Sequence, residues 1–274
     1  MNILITGGDG FIAKNVYNFM KDRYKVFSTN RQTLNVLDEK RVVSFLQKNN
    51  IDVVVHTAVS GCGRKTDTYK DFCNNINMFN NLYNNRDKFK IMINFGSGAE
   101  FDRSQNIKKK SEYEIFDSYP SDYYGLAKNI ITREIIKTNN IYNFRVFGCF
   151  GEHEKNSRFV KHSLSRLKKG EPILIHQNRY IDFVYVKDLC LVVDYYMQNF
   201  DKKQLHKDIN VCYNNEITLL DIAKKILSIK KLPQTIVIED LKMGNYYSGD
   251  GTKLKETNIQ LYGLEKGLGE IINV

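Results

Sequence analysis

Tyr124-Gly-Leu-Ala-Lys128 sets a phenol and an ammonium four residues apart, which is one face of any helix that carries them. A phenol ordinarily ionises near pH ~10, too high for easy proton exchange at neutrality. A nearby ammonium favours the phenolate and lowers that value. Tyr124 then becomes a proton donor to a carbonyl oxygen while hydride arrives at the carbon. Tyr123 is the rival phenol, but its five-residue offset from Lys128 turns it by about 100° on a helix. Ser97 adds a third group, in Asn94-Phe-Gly-Ser-Gly-Ala-Glu100, where it can hydrogen-bond a developing alkoxide.

Upstream, Thr6-Gly-Gly-Asp-Gly-Phe-Ile-Ala13 spaces Gly7, Gly10 and Ala13 as G-x-x-G-x-x-A between a strand-like and a helix-like segment. Glycines there permit a tight turn and a close approach to a pyrophosphate, and the small third residue lets helix and strand pack. The helix N-terminus points its free N–H groups at the phosphates. The second strand should end near the adenosine ribose, where an acid would select NAD. Ser28-Thr-Asn-Arg31 has no acid, and the Arg31 guanidinium suits a 2′-phosphate, so NADPH is the expected cofactor.

These groups need a parallel sheet to carry them. Short apolar runs at Asn2–Thr6, Lys25–Thr29, Asp52–Thr57, Lys90–Phe95 and Tyr142–Phe147 read as buried parallel strands. Helix patterns alternate with them at Phe11–Lys21, Asp38–Lys48, Tyr69–Asn84 and Asp122–Thr138, with Asp38 as an N-cap. Beyond Gly148 the pattern loosens: helices are expected at Arg158–Lys169, Tyr185–Gln198 and Ile217–Ile229, and strands at Pro172–His176 and Gln234–Glu239. The fold class is α/β, a Rossmann-type doubly wound parallel sheet with a small C-terminal substrate lobe. Residues 1–150, with sheet-completing segments near 178–212, form the NADP-binding domain, and residues 151–177 and 213–274 form the lobe.

Composition narrows the classes. The 274 residues carry a net charge of +10, but the lysines are spread along the chain and no nucleic-acid-binding motif appears. A basic balance also suits a dinucleotide and a nucleotide sugar. No apolar run is long enough to span a bilayer and no signal peptide is visible, so a cytoplasmic location is expected. Cys62, Cys73, Cys149, Cys190 and Cys212 form no C-x-x-C pair and no metal-ligand spacing with histidine, so reduced thiols and no metal are expected.

Taken in order, the motifs resemble the extended short-chain dehydrogenase/reductase family, which contains nucleotide-sugar epimerases, dehydratases and reductases. Thr6–Ala13 is similar to its T-G-x-x-G-F-I-x motif, His56-Thr-Ala58 to its H-x-A segment, and Asp182-Phe-Val-Tyr-Val-Lys-Asp188 to its D-F-V-x-V-x-D motif. Arg145-Val-Phe-Gly-Cys-Phe-Gly151 is similar to the strand that leads into its substrate lobe. The resemblance implies Ser97, Tyr124 and Lys128 as catalytic residues. It implies a cofactor site from Thr6, Gly7, Asp9, Gly10, Phe11, Ile12, Arg31, Asp38, His56, Ala58, Asn75 and Lys128. Ser97, Gly98, Ala99, Glu100, Arg158, Arg179 and Asp182 are then expected at the substrate.

Arg31-Gln-Thr-Leu-Asn-Val-Leu-Asp38 is similar to a stretch of GDP-fucose synthases and dTDP-4-dehydrorhamnose reductases, which reduce nucleotide-linked 4-keto-6-deoxy sugars with NADPH. Two departures stand out. Ala99 occupies the position of the epimerising cysteine of GDP-fucose synthases, and their epimerising histidine has no clear counterpart here, which implies reduction without epimerisation. Ile181 replaces the arginine that commonly precedes Asp182, and Arg179 is the substitute. The expectation is an NADPH-dependent C4-keto reductase of a nucleotide sugar, GDP-linked by preference, working as a homodimer with neither a nucleic acid nor a membrane as partner. A 4-epimerase retaining NAD and a non-catalytic NADP-binding regulator are the alternatives.

Overall fold

In the first strands, successive side chains face opposite sides of the sheet, and both sides are apolar. Ile3, Ile5, Val53, Val55, Ile91 and Ile93 join one core cluster, while Leu4, Val54 and Met92 join another. A sheet buried on both faces needs such runs, since each large aliphatic side chain taken from water contributes about 1.5–3 kcal/mol. The structure, a computed structural model, describes residues 1–61, 66–233 and 235–273. Cys62 and the first residue of the strand expected at Gln234–Glu239 lie outside the described residues.

The chain runs β1 (Asn2–Thr6), α1 (Phe11–Met20), β2 (Lys25–Thr29), α2 (Glu39–Lys48), β3 (Val53–His56), α3 (Tyr69–Tyr83), β4 (Ile91–Ser97), β5 (Ile107–Lys110) and α4 (Tyr123–Ile135). It continues with β6 (Ile141–Val146), β7 (Gly148–Phe150), α5 (Phe159–Lys168), β8 (Ile173–Gln177), β9 (Phe183–Tyr185), α6 (Val186–Asn199) and β10 (Asp208–Val211). It closes with α7 (Leu219–Lys230), β11 (Ile236–Asp240), β12 (Tyr247–Gly249), α8 (Thr252–Glu256) and α9 (Gly263–Ile272). Six strands form one parallel sheet in the order β10-β6-β4-β3-β1-β2. Helices α1 and α6 pack on one face, and α2, α3 and α4 on the other. The expected α/β class and Rossmann-type sheet are therefore observed.

The strand order reverses beside β1: the chain leaves β1 for β2 on one side and returns to β3 on the other. Ligands of such sheets bind at this switch point, outside the carboxyl ends of the strands. Beyond this sheet the chain forms three two-stranded parallel pairs, β5 with β12, β7 with β9 and β8 with β11. Lys108, Lys109 and Lys110 form most of β5. Strand β12 brings residues from near the C-terminus to it.

Candidate active site

The turn after β1 is built around Gly7. Its φ is +69°, and a Cβ there would lie 2.8 Å from the Ala58 Cα, so a side chain is excluded by conformation and by space. Gly10 caps α1 without a side-chain bond, and no acid occupies the first helical turn, which leaves its N–H groups for an anion. The cradle therefore fits the pyrophosphate of a dinucleotide, with Asp9 and Gly10 exposed and Phe11 and Ile12 half-buried beside them. Arg31 is exposed just beyond β2. Asp38 caps α2 as expected, its carboxylate accepting from the Arg41 N–H at 3.1 Å.

Across the switch point, Thr6 pairs in register with His56, and their side chains bond, Oγ1 to Nδ1, at 2.8 Å. Burial, aided by the nearby Lys128 charge, pushes the His56 pKa down to about 3, so the ring is neutral. The Thr6 hydroxyl also accepts from the Ala58 N–H at 3.3 Å. Thr6 is fully buried, its hydroxyl engaged by His56 and Ala58. Asn75 is buried as well. Its amide donates to the Ser60 carbonyl at 2.8 Å and accepts from the Ser60 N–H at 2.9 Å, so it clamps the loop after β3. A buried amide must satisfy both ends, and one backbone residue does so.

The expected catalytic residues lie on β4 and α4, which pack together. Asp122 caps α4, accepting from the Gly125 N–H at 2.8 Å, and fixes the helix that carries Tyr124 and Lys128. Lys128 is buried and donates from Nζ to the Phe95 carbonyl at 2.7 Å. Burial lowers its pKa to about 8, against a partial counterweight from Glu100. Its Nζ lies 6.0 Å from the centre of the Tyr124 ring. Ser97 ends β4 and its hydroxyl accepts from the Ala99 N–H at 3.2 Å. Gly98 and Ala99 are both buried in the turn that follows.

Two residues near this centre carried no signal in the sequence. Arg103 makes a two-pronged pair with Asp122, at 2.6 and 3.1 Å, and its guanidinium lies 5.6 Å from the Tyr124 ring centre. Burial alone would lower the Arg103 pKa, but the Asp122 bond and charge raise it, so a second fixed cation faces the phenol. Tyr247, from β12, brings its hydroxyl to 3.4 Å from the Ser97 Oγ. Separations of 21 and 150 residues hide both contacts from any local pattern.

Four of the expected substrate residues need correction or restatement. Glu100 does not face a substrate: it is fully buried, and Arg145 bonds its carboxylate at 2.6 and 2.7 Å. Arg145 also bonds Asp208 at 2.7 Å and Asn210 at 3.0 Å, a cluster that binds β6 to β10. The carboxylate turned inward because a fully buried arginine needs counter-charges. Asp182 is also buried, and it accepts from the Gly249 N–H at 2.9 Å, tying the chain before β9 to β12. Arg158 is exposed at the N-cap of α5, 3.8 Å from Glu154, and Arg179 is half-buried beside Tyr180.

Comparison with known proteins agrees with this geometry. Residues 3–212 match the NAD dependent epimerase/dehydratase family. A GDP-L-colitose synthase of Yersinia pseudotuberculosis is 21% identical over 267 residues, which cover 88% of this chain and 86% of that one. A GDP-mannoheptose C4 reductase from Campylobacter jejuni, solved with NADP bound, superposes with a TM-score of 0.84 at 20% identity, over 99% of this chain and 97% of that one. The UDP-glucose 4-epimerase of Thermotoga maritima, solved with UDP-glucose, gives 0.83 at 21% identity, over 100% and 98%. At such identities a reductase and an epimerase share one fold with this chain, and the fold does not separate them. With its family motifs matched over most of its length and the cradle and reacting groups set at the ends of β1, β3 and β4, the chain belongs to the NAD dependent epimerase/dehydratase family.

Proposed function

We propose that this chain is an NADPH-dependent reductase of the C4 keto group of a nucleotide-linked 4-keto-6-deoxy hexose or heptose, with GDP as the nucleotide, in the synthesis of a bacterial surface polysaccharide. The observation that supports this reading is the Tyr124–Lys128 pair on α4, with Nζ 6.0 Å from the ring centre and bonded to the Phe95 carbonyl of the strand that Ser97 ends. NADPH, when bound, supplies the hydride that reaches C4. Tyr124 gives its proton to the keto oxygen, so C=O becomes CH–OH. The charges of Lys128 and Arg103 make that proton easier to release. Ser97 holds the oxygen by a hydrogen bond as charge develops there.

Gly7, Gly10 and the N-terminus of α1 take the pyrophosphate, with Asp9, Phe11, Ile12, His56 and Ala58 as the walls of the crevice. Arg31 takes the 2′-phosphate, and Asp38 lies toward the adenine. Gly98, Ala99, Arg158 and Arg179 are assigned to the sugar nucleotide, the arginines to its phosphates. Ala99, buried and without a proton to exchange, supports reduction without epimerisation at C3 or C5. Residues 1–150, with the segments near 178–212, hold the cofactor, and residues 151–177 and 213–274 hold the substrate. A homodimer through α3 and α4 is supported by Tyr69 and Tyr123, which pack on each other while 64% and 43% exposed. The Yersinia and Campylobacter relatives bear names of GDP-sugar enzymes, which favours GDP.

The test is loss of reduced-nicotinamide absorbance. NADPH and NADH are each offered with GDP-, CDP-, dTDP- and UDP-linked 4-keto-6-deoxy sugars. Faster consumption of NADPH with the GDP sugar is expected. No consumption with any of them would overturn the reductase. The superposition on a 4-epimerase keeps that activity as the second reading, and tightly held NAD with net interconversion of 4-epimers would establish it.

A further inference from the structure

A serine hydroxyl carries one proton and two lone pairs. At Ser97 one lone pair is taken by the Ala99 N–H at 3.2 Å, and the other neighbour is the Tyr247 hydroxyl at 3.4 Å. We propose that Tyr247 donates to the second lone pair of Ser97 and thereby commits the serine's own proton to the keto oxygen of the substrate. Tyr247 is thus a positioning residue, supplied to the reacting centre by the far end of the chain. The proposal rests on the reductase reading given above.

The tyrosine is held as such a role requires. Its N–H donates to the Tyr180 carbonyl at 3.0 Å, and its carbonyl accepts from the Asp182 N–H at 3.1 Å. Its ring stands edge-on to Phe147 with centres 5.4 Å apart. Both rings crowd Gly98, where a Cβ would lie 2.3 Å from a Phe147 carbon and 2.9 Å from the Tyr247 Cζ. The glycine after the serine is what lets the hydroxyl come within reach. Arg103 lies near enough to both Tyr124 and Tyr247 for each phenol to add to the hold on its charge. The same cation makes Tyr247 a better donor. A separation of 3.4 Å is long for two hydroxyls, and such bonds commonly shorten when a substrate seats.

The experiment compares kcat and KM of wild type, Tyr247→Phe, Ser97→Ala and the double variant, with NADPH and the keto sugar that the wild type turns over. Phe keeps the ring, so NADPH binding and the melting point are expected at wild-type values. Tyr247→Phe is expected to lower kcat about tenfold with KM within about twofold, the pattern of an interaction made in the transition state. The double variant is expected to be no slower than Ser97→Ala, because Tyr247 acts through that serine. An unchanged kcat, a rise in KM alone, or additive losses would each overturn the proposal. If Tyr247→Phe melts early, its effect in the Ser97→Ala background decides, and any further loss there overturns the proposal. A wild type that consumes no NADPH would remove the reductase reading and this proposal with it, whereas an active wild type beside an equally active Tyr247→Phe removes the proposal alone.

Discussion

Two buried cations lie beside β4, one on helix α4 and one in strand β6, and they are held in opposite ways. Lys128, at the reacting end of β4, has a backbone carbonyl for its bond, and burial lowers its pKa to about 8. Arg145, in β6, has Glu100, Asp208 and Asn210 around it, and the two carboxylates hold it firmly charged against the same burial. The turn after Ser97 joins the two regions, since Glu100 also accepts from the Ser97 N–H at 2.9 Å. The lesson is that a buried charge given counter-charges becomes scaffold, and one left under-compensated becomes chemistry.

The contrast is broken most severely at Arg145. Arg145→Met leaves Glu100 and Asp208 buried together without their cation, and removing one partner of such a group costs about 3–5 kcal/mol. Urea unfolding is expected to show that loss, and a variant of wild-type stability would mean that the cluster is not what binds β10. At the other cation the effect falls on rate. Tyr124→Phe is expected to bind NADPH as before and to turn over at least about a hundredfold slower. A near-normal rate would take Tyr124 out of the mechanism.

Lys128 sharpens the comparison through pH. Its charge is present below pH 8 and is lost as pH rises through about 8, so turnover is expected to fall there. Lys128→Met should be slower throughout and lack that limb. Stability carries the opposite sign. Between about 8 and the ordinary 10.5, the unfolded chain holds the proton that the folded chain has released, so wild type gains stability with rising pH relative to Lys128→Met. A flat difference in melting point across that range would show that Lys128 titrates normally. The smallest effect is expected at exposed Arg31. Arg31→Ala should weaken NADPH about tenfold and leave NADH nearly unchanged, and equal weakening by fluorescence titration would remove the 2′-phosphate role.

Legibility in the sequence follows the same division. Strands β1 and β3, and the start of β4, were readable because burial on both faces demands apolar runs. The cap at Asp38 and the turn at Gly7 were readable because their chemistry is local. Strand β5 was not, since Ile107-Lys-Lys-Lys110 has one apolar residue and gains strand form only from β12. Glu100 was misread because a carboxylate three residues after Ser97 looks like part of the site, and its partners Asn143 and Arg145 lie 43 and 45 residues further on. Tyr247 and Arg103 were invisible for the same reason. A pattern of spacing reports a helix face or a strand face, and it is silent about which distant side chain completes a charge or a hydroxyl.

The placement of Asp208 also sets a timetable. Arg145 is synthesised with Glu100 already behind it, but its second carboxylate arrives only after α5, β8, β9 and α6 have been made. Until then β6 is an open sheet edge with an under-neutralised arginine near its carboxyl end, a state that favours delay and off-pathway pairing over closure. Nascent chains of graded length should therefore stay open to protease when they end before Asp208, and gain protection in one step once Val211 is included. Gradual protection from residue 150 onward would show that the sheet settles without its last strand.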